Sequence, residues 1–261
     1  MEYQYILFQV EKGIATITLN RPKEMNCINF EMVEEIAAAV DCCEKDEQIR
    51  AVVITGASQM FSAGDDIKMM ELAKTLSATE VTQTIDNKAY PVVVKRLMAL
   101  PKPVIACVNG ICFGAGGELA LACDYVIASD QASFGQLYIN LGLIGNTYLL
   151  PKAVGMRKAL ELVWTGKIIN AAEALRLGMI NKVVPAASLE EETAKLAGRM
   201  AQGPTLAYGY AKKVLHGSLN IGAEEAFKLM TEAQGTLMKT KDHQERVQAF
   251  TQRRKPAFTG A

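Results

Sequence analysis

The sequence has only two histidines, His216 and His243, and no C-x-x-C pair among its six cysteines. Zinc centres are built from clustered His and Cys, so no metal site is expected. Neither sign of charge is in excess. Lys plus Arg and Asp plus Glu each total 28, for a formal net charge of zero. That argues against a dedicated binder of nucleic acid or of an anionic membrane. No apolar run reaches the ~18 residues that span a bilayer. The opening MEYQYILFQVEKG has no basic segment ahead of its short apolar stretch, so it does not read as a secretory signal. Cys27, Cys42, Cys43, Cys107, Cys112 and Cys123 therefore read most economically as free thiols of a cytoplasmic protein. Nucleotide and hydrolase signatures are also missing. No Gly-Lys-Ser/Thr closes a phosphate loop, and Met60 stands where a G-x-S-x-G elbow around Ser62 needs glycine. Gly114-x-Gly116 begins like a dinucleotide fingerprint, but Leu119 occupies its third glycine.

Half of the 261 residues are hydrophobic, enough for a sizeable core in one or two domains. Tyr3–Val10 and Ile14–Asn20 alternate around Gly13 and predict a hairpin. Phe30–Cys43 carries apolar residues at helical spacing. Ala51–Thr55 and Val104–Val108 are short continuous apolar runs, which suit strands buried on both faces. Tyr125–Ala128 and Ile180–Val184 read as further strands, and Ile67–Leu72 and Gly116–Cys123 as helices. Ser77-x-x-Glu80 opens a helix towards Leu100, interrupted at Pro91. Asn170-x-x-Glu173 and Ser188-x-x-Glu191 look like helix starts and Gly178 like a stop. Strands and helices alternate to about residue 187, and the tail to Phe250 is helical. The pattern is α/β with a core over 1–187 and a helical subdomain over 188–261.

The segment Asn109–Leu119 follows a buried strand and opens a helix through three glycines, Gly114, Gly116 and Gly117. A helix N-terminus carries unpaired N–H groups and positive dipole, and it collects negative charge. Phe61–Lys68 has the same character. Two such turns gripping one carbonyl oxygen would make an oxyanion hole; spacing alone leaves open whether they converge. Glu118 lies three residues beyond Ala115 among apolar neighbours. Desolvation raises such a carboxylate's pKa and the helix N-terminus lowers it, so the sign stays open. The residue is either a general acid/base or a helix-start glutamate complementing the dipole.

Asn20-Arg21-Pro22-x-x-x-Asn26, Phe61-Ser62-Ala63-Gly64-Asp65-Asp66-Ile67, Pro103-Val104-Ile105-Ala106 and Gly114-x-Gly116-Gly117-Glu118-Leu119-Ala120 resemble the enoyl-CoA hydratase/isomerase (crotonase) superfamily. The likeness continues through Phe134-Gly135-Gln136 and Thr165-Gly166 to Arg253-Arg254-Lys255-Pro256. The resemblance implies a spiral core of repeated ββα turns with a C-terminal trimerisation subdomain. It implies an acyl-CoA substrate, no cofactor beyond that coenzyme A, and a homotrimer or dimer of trimers. Carried over by position, the N–H groups of Asp65 and Ala115 would hold the thioester oxygen, with Glu118 as acid/base. Met25, Ala63, Asp65, Asp66, Ile67, Lys68, Ala115 and Asn146 would contact substrate. The chain departs from the pattern at Tyr138, where hydratases carry a second glutamate, at Asn146, where some relatives carry aspartate, and mildly at Asp65 and Ala115. The expected activity is hydration/dehydration or double-bond shift of an enoyl-CoA. The alternatives are an acyl-CoA hydrolase or decarboxylase, or a non-catalytic CoA- or RNA-binding relative.

Other residues have a plainer reading. Met69, Met70, Leu72 and Val92–Val94 line an acyl pocket or, more often at such spacing, a core. His243 reads as a solvated helix residue. Arg253, Arg254 and Lys255 suit either CoA phosphates or a solvated terminal charge run. Cys107 and Cys112 read as packing thiols.

Overall fold

The structure, a computed structural model, describes residues 3–71 and 74–261, so Leu72 lies outside the described residues. β1 (Ile6–Glu11) and β2 (Ile14–Leu19) form the antiparallel hairpin expected around Gly13. α1 (Phe30–Lys45) follows, capped by the Asn29 side chain, which accepts from the Met32 N–H at 3.0 Å. The chain then winds in strand–strand–helix units. The first is β3 (Ala51–Gly56), β4 (Met60–Ser62) and α2 (Ile67–Glu71). After α3 (Ala78–Lys88) and α4 (Pro91–Ala99) comes the second: β5 (Val104–Val108), β6 (Ile111–Phe113) and α5 (Ala115–Ala122). The third is β7 (Tyr125–Ser129), β8 (Ser133–Gly135) and a 3-10 turn over Leu137–Leu141. α6 (Leu149–Val154), α7 (Met156–Thr165), β9 (Ile168–Asn170), α8 (Ala171–Arg176) and β10 (Lys182–Val184) complete the core. Four helices end the chain: α9 (Leu189–Ala201), α10 (Thr205–Ser218), α11 (Ala223–Leu237) and α12 (Lys241–Thr251).

The first strand of each unit enters one sheet, ordered β1-β2-β3-β5-β7-β10, and the second enters another, ordered β4-β6-β8-β9. From β2 to β10 the larger sheet is parallel, with Val52 opposite Val104 and Ile105 opposite Tyr125. Alternate side chains of the continuous apolar runs bury on opposite faces. Val52, Ile54, Val104 and Ala106 join the main core, while Val53, Ile105, Cys107 and Ile127 pack with Leu189 and Ala197. Thus α9 covers the second face of the sheet. The units are stitched by two amides, Asn26, which is buried, and Asn109, which is half-buried. Asn26 donates to the Ala57 and Met60 carbonyls at 3.0 and 2.9 Å and accepts from the Arg21 N–H at 2.9 Å. Asn109 donates to the Gly56 and Ser58 carbonyls at 2.8 and 2.6 Å. Asn26→Ala is expected to lower stability by about 3 kcal/mol, because it leaves buried backbone groups unpaired. A fall in the urea midpoint at constant m-value checks this, and a loss under about 1 kcal/mol would contradict it.

The three predicted helix starts resolve differently. Ser77 and Glu80 form the reciprocal capping box, and Asn170 caps α8 by accepting from the Glu173 N–H at 2.9 Å. Ser188 makes no cap: a 3-10 turn over Ala186–Ser188 holds it at ψ −4, outside the extended region a cap requires. The segment up to Leu100 is two helices, because Pro91 has no N–H to continue α3 and instead occupies the first turn of α4. Among the described residues no helix is long and apolar enough to cross a membrane, and no His/Cys/Asp/Glu group has the makings of a metal site.

Candidate functional site

The two glycine-bearing turns meet. A Cβ on Gly64, whose φ is +109, would lie 3.5 Å from the Ala115 nitrogen and 3.1 Å from the Phe113 oxygen. One on Gly114 would lie 3.6 Å from the Gly64 Cα. Glycine at 116 lets the start of α5 approach β4, since a Cβ there would sit 2.7 Å from the Ser62 Cβ. Ala115 heads α5, and the first intrahelical bond runs from the Glu118 N–H to the Gly114 carbonyl, so the Ala115 N–H precedes the ladder. On the other turn, Ile28 bridges to Asp65 through the Gly64 carbonyl (2.8 Å) and the Asp66 N–H (2.9 Å). Strand geometry aims the Asp65 N–H the other way, where it faces its own carboxylate.

Around this junction sit two carboxylates and two phenols. Glu118, 6% exposed, accepts a hydrogen bond from the Asn146 N–H. Burial pushes its carboxyl up to about 7, with the Asp65 charge adding to the rise and hydrogen bonds from Asn146 and Tyr90 opposing it. Burial is the largest of these effects, so the carboxyl rises. Tyr138 donates to Asp65 Oδ2 at 2.6 Å. Burial raises the Asp65 carboxyl too, against the lowering effect of the Tyr138 hydrogen bond. Burial first, and then Asp65, hold the Tyr138 phenol neutral, far above its usual range. Tyr90 stacks on Tyr138 with ring centroids 6.4 Å apart, and its phenol also faces Glu118 and Asp65. The Tyr138 ring is wedged against two glycines: a Cβ on Gly145 would come within 2.2 Å of it and one on Gly114 within 3.6 Å.

Asn146, at φ +52, accepts from the Leu150 N–H in the first turn of α6 at 3.2 Å. Its Nδ2 and both amide atoms of Gln136 are buried without a hydrogen-bond partner. Both amides face Gly117, where a Cβ would lie 3.2 Å from Gln136 Nε2 and 3.9 Å from Asn146 Nδ2. The site thus has spare hydrogen-bonding capacity beside Glu118.

Of the residues singled out in the sequence, the structure brings together Asp65, Ala115, Glu118, Tyr138 and Asn146. Met25 joins them at the backbone, its carbonyl accepting from the Ala63 N–H at 3.0 Å. The Asp66 carboxylate is turned to Arg21 (2.9 Å) and to the Lys68 N–H (3.1 Å). Ile67 and Lys68 are exposed at the start of α2, and Met69 and Met70 are half-buried. Val92, Val93 and Val94 pack against the main core. Cys107 and Cys112 are buried free thiols, and burial raises their pKa. His243 is exposed in the first turn of α12, and Arg254 pairs with Glu245 at 2.6 Å. Sequence reasoning assigned no role to Tyr90 or Gln136; their only signals are a phenol placed just before the helix-opening Pro91 and an amide following Gly135.

Comparison with known proteins agrees with the geometry. The enoyl-CoA hydratase/isomerase family profile matches residues 9–261. The 1,2-epoxyphenylacetyl-CoA isomerase of Escherichia coli is 36% identical over 98% of this chain and 99% of its own. The crotonyl-CoA hydratase of Syntrophomonas wolfei is 36% identical over 99% of each. The crystal structure of an enoyl-CoA hydratase subunit from Geobacillus kaustophilus superposes with a TM-score of 0.92, at 36% identity over 100% of both chains.

Proposed function

Since the chain belongs to the enoyl-CoA hydratase/isomerase family, we propose that it adds or removes water, or shifts the double bond, in an enoyl-CoA through a thioester enolate. The observation that carries this reading is the meeting of the Gly64–Asp65 and Gly114–Ala115 turns beside the buried Glu118. The N–H groups of Asp65 and Ala115 hold the thioester oxygen, where negative charge gathers as a bond at the α or β carbon changes. Glu118, with its pKa near neutrality, takes and returns the proton. In hydration it removes a proton from water as oxygen attacks the β carbon. In a double-bond shift it carries a proton between carbons. The unpartnered amides of Gln136 and Asn146 orient the water or the acyl group but cannot take a proton. Met25, Ala63, Ile67 and Lys68 lie at the rim and contact the pantetheine arm; no cofactor beyond coenzyme A takes part.

The assay is incubation with crotonyl-CoA and longer enoyl-CoAs in D₂O. Deuterium at the α carbon, with a β-hydroxyl or a displaced double bond, supports the reading. Free CoA or carbon dioxide as the product overturns it in favour of hydrolysis or decarboxylation. A homotrimer or dimer of trimers is part of the proposal. Leu141, Leu143, Ile144 and Trp164 are exposed apolar side chains. Sedimentation at a monomer mass would contradict that assembly.

A further inference from the structure

We propose that Asp65 supplies the second acid/base carboxylate of the site and that Tyr138 is the residue that positions it. The proposal rests on the enolate reading above and deepens it.

Addition of water to a carbon–carbon double bond needs a base for the water and an acid for the α carbon. Glu118 alone supplies one of these at a time. Among the described residues around the junction, the carboxylates are Glu118, Asp65 and Asp66, and Asp66 is committed to Arg21. Asp65 is anchored from another turn of the fold by the Tyr138 hydroxyl at 2.6 Å. The Tyr138 ring cannot swing away, because Gly145 and Gly114 close on it and Tyr90 stacks against it. Tyr90 also faces Glu118, so the two carboxylates flank one pair of stacked phenols. They also feel each other directly, since the Asp65 charge raises the Glu118 pKa. In the free site the proton therefore rests on Glu118, and it is the docking of the thioester that moves it towards Asp65.

Position assigns the roles. If the thioester oxygen sits on the Asp65 N–H, the α carbon is two bonds from that oxygen and so lies close to the same residue. An ionised carboxylate there would oppose the growing enolate charge, whereas a protonated one would favour it. Docking of the oxygen also takes the N–H away from the Asp65 carboxylate, which favours the protonated form. The step balances. The O–H bond of water breaks and its proton goes to the Glu118 carboxylate. The C–O bond forms at the β carbon, and the π pair moves to the thioester oxygen. That pair returns to form the α C–H bond with the proton of Asp65. One water is added, and the two carboxylates exchange one proton.

Asp65→Asn, Tyr138→Phe and Glu118→Gln are compared with wild type on crotonyl-CoA. Asp65→Asn retains the backbone N–H, and its kcat should fall ~10- to 100-fold with KM within about threefold. Tyr138→Phe removes the hydrogen bond that keeps Asp65 more acidic. Its upper kcat limb should move to higher pH, a change that loss of packing alone would not produce. The other titratable groups facing Asp65 are Tyr90, Glu118 and Cys27. Asp65→Asn turnover within about threefold of wild type, with Glu118→Gln inactive, overturns the role of Asp65 and leaves the enolate reading standing. Absence of turnover by wild type on every enoyl-CoA tested overturns both. If Asp65→Asn does not fold, the Tyr138→Phe limb decides: displaced supports the assignment, unmoved overturns it.

Discussion

Glu118→Gln is expected to lose ~10²- to 10⁴-fold in kcat while becoming more stable at neutral and alkaline pH. Both effects come from one cause. Burial raises the Glu118 carboxyl from 4.5 to about 7, so the folded protein binds that proton more tightly than the unfolded chain. A folded state that holds more protons loses stability as pH rises. The loss begins near 4.5, is complete somewhat above 7 and amounts to about 3 kcal/mol for a shift of this size. Glutamine cannot ionise, yet its oxygen still accepts from the Asn146 N–H that Glu118 now uses. The variant should therefore match wild type at pH 4 and melt roughly 6–10 °C higher at pH 8. Calorimetry at the two pH values, beside crotonyl-CoA turnover, checks both halves. Equal melting temperatures at pH 8 would show that Glu118 is not desolvated, and unchanged turnover would remove it from the chemistry.

Ala115→Pro should cost ~10²- to 10³-fold in kcat, the effect of losing one oxyanion donor. The substitution is selective because Ala115 is the first residue of α5, where proline fits and where the N–H has no intrahelical partner to lose. Gly114, ahead of it, lies at φ +49 and ψ −121, away from the α-region that proline forbids to its predecessor. Helix and fold should survive, and only the hydrogen-bond donor is removed. A melting temperature near wild type together with a two-decade fall in kcat is the expected pair. Full activity with proline in place would mean that the Ala115 N–H holds nothing during turnover.

Much of the spiral was readable in the sequence, and the part that was not has a common cause. β3 and β5 announced themselves as short apolar runs because both of their faces are covered, one by the main core and the other by α9. The strands of the second sheet are three residues each, too short to show a period, and they hid inside what read as glycine-rich loops. Glycine was the visible trace of the tight crossings: a Cβ at Gly110 would come within 2.0 Å of the Gln59 carbonyl. The site divides in the same way. Glu118 and the two turns could be named because local chemistry marks them, as a carboxylate among apolar neighbours and as glycines before a helix. The pairing of Asp65 with Tyr138 spans 73 residues and belongs to no motif. Tyr90 enters from the junction of α3 and α4, which is placed by packing rather than by local pattern. The pKa of Glu118 is set mainly by its depth of burial, which no local pattern in the sequence gives.

The most direct test is a crystal structure of the Glu118→Gln variant soaked with crotonyl-CoA. The thioester oxygen should lie about 2.7–3.1 Å from the backbone nitrogens of both Asp65 and Ala115, with the α and β carbons against residue 118. A thioester whose oxygen touches neither nitrogen, or only one of them, would contradict that geometry.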